Sequence, residues 1–246
     1  GGLDSSLSIS DTLTATAPIL NGEEAAIVTA EFVSPLSAET LEDYRDKVVA
    51  AFREEPQGGA ATDYRLWSSD AQGVKKVYPY AKVDFPNEVE VFVEATLADS
   101  IDGKGTPTTT ILQTVGNVIE FDPDTTRPTN ERGRRPLACF NVEVKAVSIK
   151  SVDVVITGFI GLTPAIETVI FDAVKSGIDK VRPFVSAADI LAEKNDVLNN
   201  SKIIFLILDS NTSVFSALTF TVNGSSTISE TFFQGDIPHL NSITYV

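Results

Sequence analysis

The chain has 246 residues, and with 43% hydrophobic residues it can bury the core of one large domain or two ordinary ones. Its net charge of −15 disfavours binding to nucleic-acid phosphates, and its longest apolar runs have strand length, far short of a membrane span. The single cysteine excludes an internal disulfide, and Cys139 with the lone His239 cannot form a tetrahedral structural zinc site.

The first 36 residues predict a β segment that is part of a larger or truncated domain. Apolar residues alternate with Ser and Thr over residues 3–17, and Asn21-Gly22 is a hairpin-turn signal before a second strand over 25–33. Residues 37–54 then predict an amphipathic helix, because Ser37 can cap its start and apolar positions recur every three or four residues.

Residues 56–80 hold the only Trp and predict a loop, a helix and a strand. A Gly-Gly pair permits backbone angles that other residues avoid, and residues 60–71 form a short helical pattern that Gly73 ends. Residues 74–83 alternate as a strand does. We interpret this stretch as a structural joint, whose joint and core residues are Gly58, Gly59, Tyr64, Trp67 and Tyr78.

The stretch 88–97 alternates valines with mostly acidic residues, so it predicts a half-buried strand that forms a hairpin with 74–83. Thr106-Pro107 then predicts a helix start, with Thr106 as cap.

The longest irregular segment of the middle of the chain is 122–136. Long loops of this kind are usually functional or contact partners, and arginine favours ion pairs at interfaces. A solvated loop is the alternative. The candidate interface residues here are Arg127, Arg132, Arg134 and Arg135.

After this loop, residues 137–156 predict a long strand with a break at 148–151. The patterns that follow predict helices over 163–180 and 186–198, and strands over 203–208 and 214–222. The last strand, 236–246, could add to a neighbour's sheet, although an ordinary edge strand explains it equally. Its candidate interface residues are Asp236, Ile237, Pro238 and His239.

This order of elements predicts an α+β fold of several domains, in which small mixed or antiparallel sheets pack with helices. The predicted domains are the β segment 1–36, an α+β domain over 37–138 that contains the Trp helix and the hairpin, and a second α+β domain over 139–246.

No catalytic constellation stands out, and we expect no catalytic residue, no cofactor and no metal site. Residues 103–106 lack the spacing of a phosphate-binding loop. The pairs Asp99/Asp102 and Asp122/Asp124 are explained most simply as turn residues, with calcium binding as the alternative.

Two other functions remain open at this point. The aromatic residues of 64–80 could form a carbohydrate-stacking platform, which indicates a carbohydrate- or surface-binding module. A hydrolase that uses a pair of carboxylates is the less favoured alternative.

Four stretches of the chain form a recognisable series: 42–45 with 51–59, 63–67 with 73–79, 103–107 with 134–137, and 235–238. In order and spacing they resemble the baseplate J-like family of contractile phage tails and related injection systems, and the resemblance covers about residues 37–246. The chain has Asp236 where the family often has Glu in Gly-Glu-Ile-Pro.

The resemblance implies a non-enzymatic wedge assembly protein of the tail baseplate, which works by protein–protein assembly and conformational rearrangement. The implied partners are other wedge, sheath or tube-end proteins and further copies of the chain itself. From the charge and the short apolar runs we expect no nucleic acid as a partner and no membrane span. The implied location is the virion tail baseplate, after assembly in the cytoplasm of a bacterial host.

Overall fold

The computed structural model describes residues 12–14, 25–27, 45, 48, 58–210 and 214–246. Contacts divide the chain into two compact units, residues 1–53 and 54–246. In the first unit, β1 (Thr12–Thr14) pairs antiparallel with β2 (Ala25–Ile27), within the two predicted N-terminal strands. Arg45 and Val48 are helical, and the rest of the helix predicted over 37–54 lies outside the described residues. The predicted domain limits remain predictions.

The second unit begins with a three-stranded sheet, which we call the first sheet. It contains β3 (Val74–Ala81), β4 (Glu88–Ala95) and β5 (Asn141–Ala146), in the order β3-β4-β5. β3 and β4 form the predicted antiparallel hairpin, whereas β4 and β5 are parallel. Two helices, α1 (Ala61–Ser68) and α2 (Thr109–Glu120), supply the apolar core on one face of this sheet.

Two local predictions in this region change. α2 is capped by Thr108, whose side chain accepts a hydrogen bond from the Ile111 amide, and not by Thr106. α1 ends at Ser68, and Gly73 instead leads into β3 with a φ of +83°. Gly73 lies in the turn before β3, a position that glycine favours, and Thr106 lies two residues before the actual cap.

A four-stranded sheet, the second sheet, lies in the remaining chain. Its strands are β6 (Ser148–Thr157), β8 (Ala217–Val222), β9 (Ser225–Thr227) and β11 (Asp236–Tyr245). Their order is β11-β6-β8-β9, with β11 parallel to β6 and the other pairs antiparallel. The helices α3 (Pro164–Ile178) and α4 (Asn200–Ser210) share the apolar core of this sheet. A separate antiparallel pair consists of β7 (Val197–Asn199) and β10 (Ser229–Thr231).

The helix predicted over 186–198 is wrong. Ala187 has a φ of +66°, which an α-helix does not accommodate, and only a 3-10 turn, Leu191–Glu193, precedes β7. The Asp189 carboxylate, read as part of a helix cap, binds the Val185 amide and the distant Arg65 guanidinium instead.

The strand predicted over 203–208 is also wrong, because this apolar run is the middle of α4. A short apolar run does not distinguish a buried strand from a buried helix. Ile203 and Ile207, four residues apart, are both fully buried, as a helix facing a core requires. The Asn199 side chain accepts a hydrogen bond from the Lys202 amide at 2.9 Å, a helix-capping contact that the run itself does not reveal.

The break in the long strand falls at Val147, one residue before the predicted segment 148–151, which belongs to β6. Val147 is buried with Tyr78, Val185 and Ile237 in a third apolar cluster. This cluster covers the face of the first sheet opposite α1 and α2, so both faces of that sheet are packed. The α+β class with small mixed and antiparallel sheets is confirmed.

Candidate assembly interface

The loop 122–136 folds back on the end of α2, and Arg134 is held inside it. The Arg134 guanidinium contacts Asp70 at 2.7 Å, Asp122 at 3.2 Å and the Val118 carbonyl oxygen at 3.2 Å. Its side chain is 16% exposed. Arg134 therefore ties the loop to α2 and to the turn after α1.

Arg135 makes a similar bridge at the end of the loop. Its guanidinium pairs with Glu120 at 2.7 Å and donates to the carbonyl oxygens of Cys139 and Phe140 at 2.6 and 2.8 Å. It thus fixes the 137–140 turn against the last residue of α2.

The other two arginines of the loop lie nearer its surface. Arg127 lies 3.8 Å from Asp122 and donates to the Glu131 carbonyl oxygen, and its side chain is half exposed. Arg132 donates to the Asp122 carbonyl oxygen and to the Thr129 hydroxyl. Of the four predicted contact residues, Arg127 presents the most accessible charge.

The predicted residues of the last strand lie at the start of β11. Ile237 and Pro238 are buried, Ile237 in the third apolar cluster. Asp236 pairs with Lys150 at 3.2 Å. His239 is half-buried, and burial, followed by repulsion from Lys104, lowers its pKa. The side chains at 237 and 238 therefore face inward, and among the described strands β11 pairs along one edge only.

The predicted joint residues fall into two groups on opposite faces of the first sheet. Tyr64 is buried and packs edge-to-face on the half-buried Trp67, with ring centroids 5.3 Å apart. Tyr78 is buried in the third cluster on the other face. Gly58 (φ +78°) is open, whereas a Cβ on Gly59 (φ +114°) would lie 2.5 Å from Pro136 Cγ.

A buried ion pair on β4 is absent from the predicted sites. Glu94 lies on the face of β4 predicted to be polar, but its side chain is only 2% exposed. Its carboxylate accepts hydrogen bonds from the Tyr78 hydroxyl at 2.6 Å, from Lys75 Nζ at 3.0 Å and from the Arg182 guanidinium at 3.0–3.3 Å. All four lone-pair directions of the carboxylate can thus be used.

These contacts set the pKa of the carboxyl group. Burial alone would raise the pKa of Glu94, but the charges of Arg182 and Lys75 and the Tyr78 hydrogen bond outweigh it and leave that pKa below its ordinary value. Burial, with the neighbouring Glu94 charge, raises the pKa of Tyr78 well above its ordinary value. Glu94 is therefore ionised and Tyr78 is neutral at pH 7.

A second ion pair ties the same segment, residues 181–190, to the first sheet. Arg65 binds Asp189 through two hydrogen bonds of 2.7 and 3.0 Å and donates to the carbonyl oxygens of Val77 and Ala188. Burial would raise the pKa of Asp189, but its contacts with Arg65 and Lys76 lower it. The Tyr80 hydroxyl donates to the Phe184 carbonyl oxygen at 3.3 Å. The 181–190 segment is thus held to the first sheet and to α1 by ion pairs and a hydrogen bond besides its apolar contacts.

Sequence reasoning missed both ion pairs because their partners are far apart in the chain. Glu94 and Arg182 are separated by 88 residues, and Arg65 and Asp189 by 124. The one local hint of a buried charge lies at the end of β4, where Glu94 directly precedes the fully buried Ala95.

Chemistry beyond packing finds little support among the described residues. Tyr64 and Tyr78 are buried, so two of the four aromatic rings of the predicted carbohydrate platform are inside the protein. Within the described ranges, no group of three or more His, Cys, Asp or Glu side chains is placed to hold a metal ion. No helix there is long and apolar enough to cross a membrane.

Comparison with known protein families finds a match over part of the chain. Residues 56–146 match the family described as Baseplate J-like central domain. This region runs from the predicted joint to the last residue of β5, so it comprises α1, α2 and the first sheet. No curated protein sequence matches the chain.

A solved structure shares the fold over nearly the whole chain. It is a chain from the six-fold symmetrised cryo-electron-microscopy structure of the anti-feeding prophage baseplate. The superposition has a TM-score of 0.52 at 11% sequence identity, and it covers 98% of this chain and 50% of that one. The present chain thus spans half the length of its structural relative. The resemblance predicted from the sequence is confirmed over residues 56–146, which match the baseplate J-like central domain.

Proposed function

We propose that this chain is a structural component of the baseplate of a contractile phage tail or a related injection system, a wedge protein that works by assembly and rearrangement without catalysis. The observation that carries the proposal is the baseplate J-like domain over residues 56–146. The fold shared with a chain of the anti-feeding prophage baseplate supports it over the rest of the chain.

The partners that we propose are other wedge proteins, sheath or tube-end proteins, and further copies of the chain. They meet the chain at the 122–136 loop, through Arg127, and at the free edge of β11. In the described part of the chain β11 is the outer strand of its sheet, so its outward amide and carbonyl groups can pair with a strand of a neighbour.

Co-expression of the chain with the neighbouring tail genes, followed by native mass spectrometry, tests the proposal. We expect a stable complex with at least one other tail protein. A chain that stays free of every tail protein under conditions in which the others assemble would contradict an assembly role.

The arginines of the loop need point substitutions instead of a deletion, because Arg134 and Arg135 hold α2 and the 137–140 turn. Arg127→Ala removes an accessible charge and contacts within the loop only, whereas Arg134→Ala also removes the contacts with α2 and with the turn after α1. Loss of assembly in Arg127→Ala without a change in unfolding temperature would support a direct contact at this loop.

A further inference from the structure

One end of the first sheet displays an apolar patch that none of the predicted interface residues includes. Val83 and Phe85 lie in the β3–β4 turn and are 91% and 52% exposed, and Leu137 and Phe140 lie in the turn before β5 and are 107% and 80% exposed. We call these four residues the end patch. Large apolar side chains exposed together mark interaction surfaces, whereas isolated ones do not.

The contacts of the two turns place these residues at the same end. The Phe140 amide donates to the Asn87 carbonyl oxygen at 2.7 Å, which joins the 137–140 turn to the β3–β4 turn. β5 then continues parallel to β4, with Asn141 opposite Glu88. The end patch is therefore built on two adjacent turns.

The turn that carries Leu137 and Phe140 is held rigidly. Arg135 binds the carbonyl oxygens of Cys139 and Phe140 and pairs with Glu120. The Cys139 amide donates to the Pro136 carbonyl oxygen at 2.9 Å. A preorganised apolar surface loses little conformational entropy on binding, which favours its use as a docking site.

The charges around the end patch indicate the chemistry of its partner. The basic side chains nearest the end patch are paired within the chain: Lys82 with Glu88 and Glu143, and Arg135 with Glu120. In contrast, the exposed carboxylates of Asp84 and Glu131 make no ion pair with any described residue. Asp84 lies between the two patch residues of its turn.

We propose that the end patch docks a partner protein whose surface has an apolar centre and a basic rim. A second copy of the chain would bring the unpaired carboxylates of two acidic molecules together, each of net charge −15, so a different, basic partner fits better. The inference rests on the proposed assembly role and names the chemistry of one partner.

The test uses the tail protein that co-purifies with the full chain in the co-expression experiment. Its affinity is measured for the wild type, for the double variant Leu137→Ser/Phe140→Ser and for Asp84→Lys, at about 50 and about 300 mM salt. Replacing exposed apolar residues changes the stability of the fold little, and the unfolding temperature of each variant confirms this. The matched control is Ile160→Ser/Ile228→Ser, since these residues are 71% and 78% exposed and belong to neither turn.

We expect the patch variant to bind about tenfold or more weakly, as loss of a central contact does, and the control to bind like the wild type. Asp84→Lys should weaken binding at low salt and reduce its salt dependence.

Affinity of the patch variant within about twofold of wild type would overturn the inference and leave the assembly role intact. Self-association that the patch substitutions abolish, measured by sedimentation, would assign the patch to a second copy and also overturn it. Flotation with anionic vesicles that the same substitutions abolish would replace the protein partner by a lipid surface. A wild-type chain that binds no tail protein would instead overturn the assembly role, and the inference with it.

Discussion

Glu94 lies where the alternation of β4 predicts a solvated carboxylate, yet its side chain is 2% exposed. A buried charge is tolerated only when it is paired and hydrogen-bonded, and here Arg182, Lys75 and Tyr78 meet that condition. The same carboxylate joins the first sheet to the 181–190 segment, so one residue links two parts of the chain that are distant in sequence.

Replacing Glu94 tests this account. Glu94→Gln leaves the Arg182 guanidinium partly buried without its counter-charge, and we expect it to lower the free energy of unfolding at pH 7 by about 3 kcal/mol. Denaturant unfolding measures the change. Glu143→Gln is the control, because Glu143 pairs with Lys82 and Lys145 at the surface, where such pairs contribute about 1 kcal/mol or less.

The pH dependence of stability should follow from the same group. The pKa of Glu94 is lower in the folded protein than its ordinary value of 4.5, and that of Asp189 is lower than 3.8. The folded state therefore binds fewer protons than the unfolded state, and the stability from these pairs is present above these ordinary values and is lost as the pH falls through the folded ones. Glu94→Gln should flatten the acid side of the stability curve, and an unchanged acid side would assign the pH dependence to other carboxylates.

Two elements were assigned wrongly from the sequence, and both errors have a local explanation. The run 203–208 has the same apolar residues whether it forms a strand or a helix, and only the positions that face the core distinguish them. The pattern over 186–198 has the features of a helix start, but in the structure Asp189 binds Arg65. No local pattern contains that contact.

Asn199 tests the assignment of α4. Its side chain caps the helix through the Lys202 amide, so Asn199→Ala should lower the free energy of unfolding by about 1 kcal/mol. Asn199→Asp, which keeps a capping oxygen, should retain most of that stability. Equal losses for the two variants, measured by thermal unfolding, would show that the cap contributes little.

The Gly-Gly pair before α1 offers a second test at the scale of elements. Both glycines have positive φ, so a Cβ strains either backbone, but only Gly59 also abuts Pro136. Gly59→Ala should therefore destabilise the fold by about 1–3 kcal/mol more than Gly58→Ala, as overpacking does. Chemical denaturation of both variants measures the difference, and equal effects would leave backbone strain as the sole cause.

At the scale of the whole molecule, the open question is whether the free edge of β11 in the second sheet is an assembly surface. Thr244 on β11 and Thr219 on β8 lie in one cross-strand row, since both pair with Val155 of β6, and both are exposed. A lysine at a sheet edge disfavours pairing with another chain, whereas one on β8, which β6 separates from β11, leaves the β11 edge unchanged.

We expect Thr244→Lys to reduce incorporation into the baseplate complex severalfold, judged by native mass spectrometry, as expected when one edge contact is lost. Thr219→Lys should assemble like the wild type. Normal assembly of both variants would remove the β11 edge from the interface and leave the 122–136 loop and the end patch as candidates.

The sequence by itself determined most of the local structure. Alternation determined the β3–β4 hairpin, the capping Thr163 and Pro164 determined α3, and the order and spacing of short motifs identified the baseplate J-like domain. These features depend on neighbours within a few residues, or on residue identity alone, so a single chain reveals them.

The tertiary structure decided which residues meet across long separations. It placed Tyr64 and Tyr78 on opposite faces of one sheet, buried Glu94 against Arg182 and turned Ile237 inward. It also brought Phe85 and Phe140, 55 residues apart, to adjacent turns (140 − 85). Such contacts depend on how the elements pack, and packing is a property of the whole fold that no local pattern contains.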